Sequence, residues 1–88
     1  MLSRVYSDVS EKLESQSVAR FMFQSNCLTL RDLESIQSRR REPVSAAKQL
    51  LDIVMKRSNN VYKCFMKALK KSRQQHVEMI ITGSYKGN

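Results

Sequence analysis

Hydrophobic positions recur along the chain at intervals of three and four residues, which is the spacing of one face of an α-helix. No stretch shows the sustained alternation of apolar and polar residues that is typical of a half-buried strand. Only two glycines and one proline interrupt the 88 residues. The pattern therefore predicts an all-α fold of six short helices joined by short turns.

The first three helices are predicted in the N-terminal half. One runs from about residue 2 to residue 14. A second is capped by Ser15 or Ser17 and should end near Asn26. Thr29–Asp32 is close to a capping box, with Asp in place of the usual Glu, and should start a third helix. The positions predicted to face the core are Leu2, Val5, Val9, Leu13, Val18, Phe21, Met22, Leu30, Leu33 and Ile36.

The other three helices follow a polar loop that contains Arg39–Arg41. Pro43 suits the first turn of the fourth helix, which has the widest apolar stripe in the chain. The segment Arg57–Asn60 should break it, because asparagine tolerates left-handed backbone geometry. Gly83 should stop the sixth helix. The positions predicted to face the core are Val44, Ala47, Leu50, Leu51, Val54, Met55, Val61, Phe65, Ala68, Leu69, Val77, Ile80 and Ile81.

The length fits one domain, and we expect residues 1–83 to form a helical bundle, with residues 84–88 a flexible tail or the start of a linker. Folding at this size buries only about 60–65% of the surface that the unfolded chain exposes. Nearly every large apolar residue is needed inside, so few remain for a deep catalytic pocket. No apolar run approaches the roughly 18 residues of a membrane span, and the N-terminus lacks the layout of a secretory signal.

The residues with catalytic or metal-binding chemistry are sparse and unclustered. His76 is the only histidine, and no third group accompanies it to form a nucleophilic site with a cysteine. Cys27 and Cys64 have a spacing that suits neither a zinc site nor a disulfide framework. We therefore expect no catalytic, cofactor or metal site, and two thiols that pack as small buried hydrophobes in a reducing, cytoplasmic setting.

The net charge of +8 is unevenly spread. Residues 1–44 carry seven basic and six acidic side chains, whereas residues 45–88 carry nine basic and two acidic ones. Such a field favours encounter with an acidic partner, and a protein surface, a nucleic acid and a phospholipid all fit that description.

Lys63, Lys67, Lys70 and Lys71 recur on the predicted fifth helix and form a secondary basic face. A solvated helix face is the simplest interpretation, ahead of a protein-binding face and of a nucleic-acid or lipid site. The chain has no Trp and six other aromatics, most of which the core requires, so base stacking has little support. The run Arg39–Arg41 is likewise interpreted as a solvated loop before a recognition element.

Four of the predicted helices, in order, resemble the caspase recruitment domain of the death-fold superfamily. Val18–Ile36 is similar to the family's second and third helices, where a leucine-threonine turn precedes an acidic third helix. Ala46–Val54 resembles the fourth helix. Val61–Leu69 resembles the fifth, in which an aromatic and a leucine four residues later enter the core. The likeness extends from about Leu2 to Gly83.

The chain departs from the family pattern at two turns. The family often has a glycine between the fourth and fifth helices, where this chain has Ser58–Asn60. It often has another between the fifth and sixth helices, where this chain has Arg73–Gln75. These substitutions affect the expected loop shapes more than the expected fold.

The resemblance implies a six-helix antiparallel Greek-key bundle that pairs with other such domains and can grow into helical oligomers or filaments. In the family, a basic patch on the first and fourth helices of one copy meets an acidic patch on the second and third helices of the next. The matching basic residues here are Lys48, with Arg4 and Lys12 as neighbours. The matching acidic residues are Asp32 and Glu34.

Arg20 occupies a position where acidic members of the family carry a carboxylate. The resemblance thus implies a basic partner that recruits or is recruited by an acidic caspase recruitment domain in apoptotic or inflammatory signalling, as initiator caspases are by their platforms. Two alternatives stay open at this point. One is a small basic helical module that binds nucleic acid, which is less favoured, and the other is a decoy regulator that consists only of this domain.

Overall fold

The computed structural model describes residues 5–83, and six α-helices occupy that range. They are α1 (Tyr6–Lys12), α2 (Ser15–Gln24), α3 (Leu30–Gln37), α4 (Pro43–Lys56), α5 (Asn59–Lys71) and α6 (Gln75–Thr82). Residues 5–83 contain no strand. The predicted all-α fold is confirmed, while Leu2, Arg4 and the predicted tail at residues 84–88 lie outside the described residues.

Contacts between helices distant in sequence define the topology. Helix α1 packs against α4 and α6, and α2 packs against α3, α4 and α5. Helix α3 also contacts α4, and α5 contacts both α4 and α6. This arrangement agrees with the six-helix Greek-key bundle that the resemblance implies, with the first helix packed against the fourth and the last.

The core takes side chains from every helix. Phe65, Met22, Ile36, Leu50 and Leu51 are among the largest fully buried ones. Burial of a large apolar side chain stabilises a fold by about 1.5–3 kcal/mol. The buried apolar residues are Val9, Leu13, Val18, Ala19, Met22, Leu28, Leu33, Ile36, Ala46, Ala47, Leu50, Leu51, Ile53, Val54, Phe65, Ala68, Leu69, Val77 and Ile81.

Three helix boundaries are formed by the residues that the sequence predicted for them, Thr29, Pro43 and Gly83. The Thr29 hydroxyl accepts a hydrogen bond from the Asp32 N–H at 3.0 Å, and the Asp32 carboxylate accepts one from the Thr29 N–H at 3.0 Å. This reciprocal pair is the predicted capping box. Pro43 occupies the first turn of α4. Gly83 follows α6 with a φ of 80°, in the left-handed region that glycine adopts without strain.

The predicted cap of the second helix is wrong. Ser15 is already its first residue, and the cap is Glu14. The Glu14 carboxylate accepts hydrogen bonds from the N–H groups of Gln16 at 2.9 Å and Ser17 at 3.3 Å. A carboxylate accepts hydrogen bonds from the unpaired N–H groups of a first turn as a serine hydroxyl would. Its negative charge also interacts favourably with the partial positive charge at the start of the helix.

The break after α4 falls within the predicted segment Arg57–Asn60, but the role assigned to the asparagines is wrong, because Asn59 and Asn60 begin α5. Extended backbone at Arg57 and Ser58, the first two residues of that segment, separates α4 from α5. Apart from glycine, left-handed backbone occurs within residues 5–83 at Asn26, with φ 64°, and at Arg73, with φ 62°. Asn26 ends the turn after α2, where the sequence predicted that this helix would stop.

Some predicted core positions lie at the surface. Leu30 is 57% exposed, Met55 45% and Val44 40%. Each lies in the first or last turn of its helix, beyond the part that packs against a neighbour. Periodicity alone does not show where along a helix the packing stops. Phe21, Val61 and Ile80 are half-buried at the edge of the core.

A buried amide joins two turns that are 60 residues apart in the sequence. The Gln74 side chain accepts a hydrogen bond from the Glu14 N–H at 2.8 Å and donates one to the Glu14 carbonyl at 3.0 Å. Gln74 is only 5% exposed, and it also donates to the Ser72 hydroxyl at 2.9 Å. The turn between α1 and α2 is thereby fixed to the turn between α5 and α6.

Candidate protein-interaction surfaces

Two of the predicted basic residues lie on helices that pack against each other. Lys12 is in the last turn of α1 and Lys48 is in α4, and both side chains are exposed. Among residues 5–83, neither ammonium group is within ion-pairing distance of a carboxylate. Arg4, the third residue predicted for this surface, lies outside the described residues. We refer to Arg4, Lys12 and Lys48 as the basic face.

A tyrosine fixes α1 to α4 beside Lys48. The Tyr6 hydroxyl donates to the Asp52 carboxylate at 3.1 Å and lies 3.5 Å from the Lys48 carbonyl oxygen. Burial, together with the hydrogen bond to Asp52 and its negative charge, raises the pKa of Tyr6 above its ordinary value. Sequence reasoning missed this contact because it joins residues 46 positions apart. Asp52 lies one helical turn after Lys48, and its carboxylate accepts this hydrogen bond from Tyr6.

The two predicted acidic residues are in different environments. The Asp32 carboxylate accepts hydrogen bonds from both terminal nitrogens of Arg57, at 3.0 and 3.1 Å, besides that from Thr29. Its side chain is 13% exposed. Glu34 lies one helical half-turn further along α3 and is exposed, without a side-chain hydrogen bond or ion pair to any described residue. We refer to Asp32 and Glu34 as the acidic face.

Arg57 neutralises most of the charge that Asp32 brings to the acidic face. Partial burial acts to raise the pKa of Asp32, but hydrogen bonds from Arg57 and Thr29 and the guanidinium charge outweigh it, so that the pKa lies below its ordinary value. The carboxylate thus stays ionised and is held by partners within the domain. Glu34 alone offers an unpaired carboxylate on this face.

The ion pair between Asp32 and Arg57 also joins two helix ends that carry exposed apolar side chains. Leu30 begins α3 two residues before Asp32, and Met55 lies near the end of α4 two residues before Arg57. Sequence reasoning assigned both to the core and did not identify Arg57. No local signal points to Arg57, because its partner is 25 residues away.

The structure divides the four lysines of the secondary basic face. Lys63, Lys67 and Lys71 line a groove of about 360 Å³ between α2 and α5. Lys70 lies on another side of α5, where its ammonium is 3.5 Å from the Glu78 carboxylate of α6. The groove is completed by Phe21, Ser25, Cys27, Asn60, Cys64 and Ala68. We refer to it as the α2–α5 groove.

Both cysteines are free and half-buried at this groove. The Cys27 thiol donates weakly to the Ser25 carbonyl at 3.6 Å. Burial, followed by the hydrogen bond and charge of Cys27, raises the pKa of Cys64 to about 11. A thiol with such a pKa is protonated at neutral pH, which makes it a poor nucleophile.

Features of catalytic, metal-binding and membrane proteins are sparse in the part of the chain that the structure describes. His76 is exposed at the start of α6. Within residues 5–83, no three His, Cys, Asp or Glu side chains are grouped so as to hold a metal ion. None of the helices described there combines the length and apolar character that crossing a membrane requires.

Comparison with known proteins gives one match. The family model of the Caspase recruitment domain matches residues 1–84. No curated protein and no solved structure matched the chain. Members of this family are non-catalytic interaction domains that bind other death-fold domains in apoptotic and inflammatory signalling. Because the match spans nearly all of the 88 residues and agrees with the six-helix bundle, the chain belongs to the caspase recruitment domain family.

Proposed function

We propose that this domain acts as the basic partner in pairing between caspase recruitment domains. Its basic face receives the acidic face of a second domain. The observation that carries this proposal is the contrast between Lys12 and Lys48, which are exposed and have no carboxylate partner among the described residues, and Asp32, which is bound by Arg57. The chain offers cations to a partner more readily than carboxylates.

The overall charge supports the same direction of pairing. A net charge of +8 attracts an acidic domain from a distance and accelerates encounter, an effect that salt weakens. Individual exposed ion pairs contribute only about 0–1 kcal/mol. Stable recruitment therefore requires several contacts together, and assembly of many copies multiplies them. The exposed Leu30 and Met55 add apolar contact area to such an assembly.

The proposed role is recruitment or oligomerisation of signalling proteins in cell death or inflammation, as for the prodomain of an initiator caspase. Two free thiols suit a reducing compartment, so the cytoplasm is the proposed location. In this role the domain itself performs no catalysis and brings its partners together.

The test is the concentration at which the purified chain assembles, measured by light scattering and checked for filaments by electron microscopy. Lys48→Glu reverses one charge of the basic face, so we expect assembly to require at least about tenfold more protein. Arg41→Glu makes the same charge change at an exposed loop position and should assemble like wild type.

Capture from cytosol under the same salt conditions extends the test to other partners. Wild type and Arg41→Glu should retain the same death-fold proteins, and Lys48→Glu should lose them. Equal assembly and equal capture by Lys48→Glu and Arg41→Glu would show that Lys48 is not part of the docking surface.

A further inference from the structure

The α2–α5 groove lies outside both the basic and the acidic face, and pairing as proposed above does not use it. Lys63, Lys67 and Lys71 follow one another at intervals of four residues along α5. Four residues of helix rise about 6 Å, so the three Cα positions span about 12 Å along the groove. The lysines thus form a row of cations along one wall.

The charge of this row is not balanced within the groove. Like charges four residues apart destabilise a helix. No Asp or Glu lines the groove, and none of its three lysines has a carboxylate partner within residues 5–83. Lys70, by contrast, is paired with Glu78 on the other side of the same helix. An anion bound in the groove would relieve the repulsion that the domain itself leaves.

The remaining lining provides both polar and apolar contacts. The polar residues Ser25 and Asn60 also line the groove. Phe21 and Ala68 form an apolar part of the wall. Phe21 also lines a smaller depression, together with Arg20.

The volume favours a small ligand. About 360 Å³ lies at the lower end of the range of about 300–1,000 Å³ that is usual for small-molecule sites. Phe21 is the only aromatic side chain in the lining, whereas single-stranded nucleic acid is generally held by stacking of successive bases on several aromatics. A single carboxylate would neutralise only one of three ammonium groups whose Cα atoms are about 6 Å apart along α5.

From this arrangement we propose that the α2–α5 groove binds a small soluble molecule that carries two or more phosphate groups, held by the ammonium groups of Lys63, Lys67 and Lys71. Phosphate oxygens accept charge-assisted hydrogen bonds from lysine, and successive phosphates can engage successive lysines. A linear polyphosphate ester and a ring with several phosphates share this chemistry.

The experiment uses the full chain labelled with ¹⁵N and titrated with inorganic tripolyphosphate at constant ionic strength. We expect saturable shifts in the amide resonances of Ser25, Asn60 and the segment Lys63–Lys71. Inositol hexakisphosphate provides the second probe, and tighter binding of one probe than of the other assigns the ligand to the linear or the ring class. Either result supports the site.

Substitutions at the centre of the row give the specific test. Lys67→Gln should weaken binding of tripolyphosphate about tenfold, which is the size of one charge-assisted hydrogen bond, and Lys67→Arg should retain most of it. Lys56→Gln removes the same charge from an exposed position of α4 and should change affinity less than about twofold. All three substitutions are at exposed positions, so the circular dichroism spectra should match wild type. Lys67→Gln should melt at the wild-type temperature or slightly above it, because it removes a like charge from the row.

Three results would overturn the proposal. One is the lack of saturable shifts with either probe. A second is equal weakening by Lys67→Gln and Lys56→Gln, which would mean that only net charge matters. The third is binding of a single-stranded oligonucleotide more than tenfold tighter than tripolyphosphate with the same dependence on Lys67, which would make the groove a nucleic-acid site. Assembly should be unaffected by Lys67→Gln, so failure here would leave the proposed pairing intact.

Discussion

Lys48 and Asp32 are predicted from the sequence as opposite halves of one docking system, and the structure places them in opposite electrostatic states. Lys48 is exposed, and no carboxylate pairs with its ammonium among the described residues. Asp32 is largely covered, and Arg57 and Thr29 bind its oxygens. A charged residue in a sequence is therefore available to a partner only if the fold leaves it unpaired. In this domain the fold leaves the ammonium group of Lys48 unpaired among the described residues and pairs the carboxylate of Asp32.

The largest expected effect comes from exchanging charges between the two faces. Lys48→Glu and Glu34→Lys should each raise the concentration required for assembly at least about tenfold, because each puts like charges opposite each other. An equimolar mixture should assemble near the wild-type concentration, since the carboxylate introduced in one variant can meet the ammonium introduced in the other. Light scattering measures the concentration required for assembly of each variant and of their mixture. A mixture that stays as inactive as its components would separate Lys48 from Glu34 as docking partners.

The second prediction concerns the internal role of Asp32. Asp32→Asn weakens both the capping box and the ion pair with Arg57, and we expect the free energy of unfolding to fall by about 1–2 kcal/mol. Glu34→Gln, two positions away and exposed, should change it by less than about 0.5 kcal/mol. Urea denaturation measures both values. Similar losses for the two variants would place both carboxylates in the same structural role.

The third prediction is how the difference in unfolding free energy between wild type and Asp32→Asn depends on pH. The pKa of Asp32 is lowered in the folded state, so its contribution to stability is complete above the unfolded value of about 3.9 and is lost as pH falls through the folded value. The gap in unfolding free energy between wild type and Asp32→Asn should therefore narrow below about pH 4. Urea denaturation between neutral and acid pH follows it. A gap that is constant with pH would indicate that the charge of Asp32 contributes nothing.

The smallest expected effect concerns the contact between Tyr6 and Asp52, beside the basic face. Tyr6→Phe removes the hydrogen bond to Asp52 and should lower the free energy of unfolding by about 0.5–1.5 kcal/mol. Asp52→Asn should move the pKa of Tyr6 back toward its ordinary value, because part of the increase comes from the Asp52 carboxylate. An NMR titration of the Tyr6 ring reports this change. An unchanged pKa in Asp52→Asn would assign the whole increase to burial.

The same contrast explains what the sequence could predict. The helices, the capping box at Thr29 and the stop at Gly83 depend on neighbours within a few residues, and the periodic pattern carries that information. The pairing of Asp32 with Arg57 joins residues 25 positions apart, and that of Tyr6 with Asp52 spans 46. Such pairs depend on how whole helices are placed, which no local pattern encodes.

The lysines of α5 show the same limit on a smaller scale. All four are one cluster in the sequence, but α2 forms the opposite wall for three of them and Glu78 of α6 pairs with Lys70. Spacing along a helix gives the direction of a side chain. It does not give the identity of the helix that lies opposite.

The amide of Gln74 has a consequence for how the domain opens. It occupies both backbone groups of Glu14, and α1 packs directly on α6. Separating the turn after α1 from the turn before α6 must therefore break both hydrogen bonds, so the end of α1 and the start of α6 should lose hydrogen-exchange protection together. A partner protein that binds α1 and holds it in place would, through the same two hydrogen bonds, slow hydrogen exchange at the start of α6.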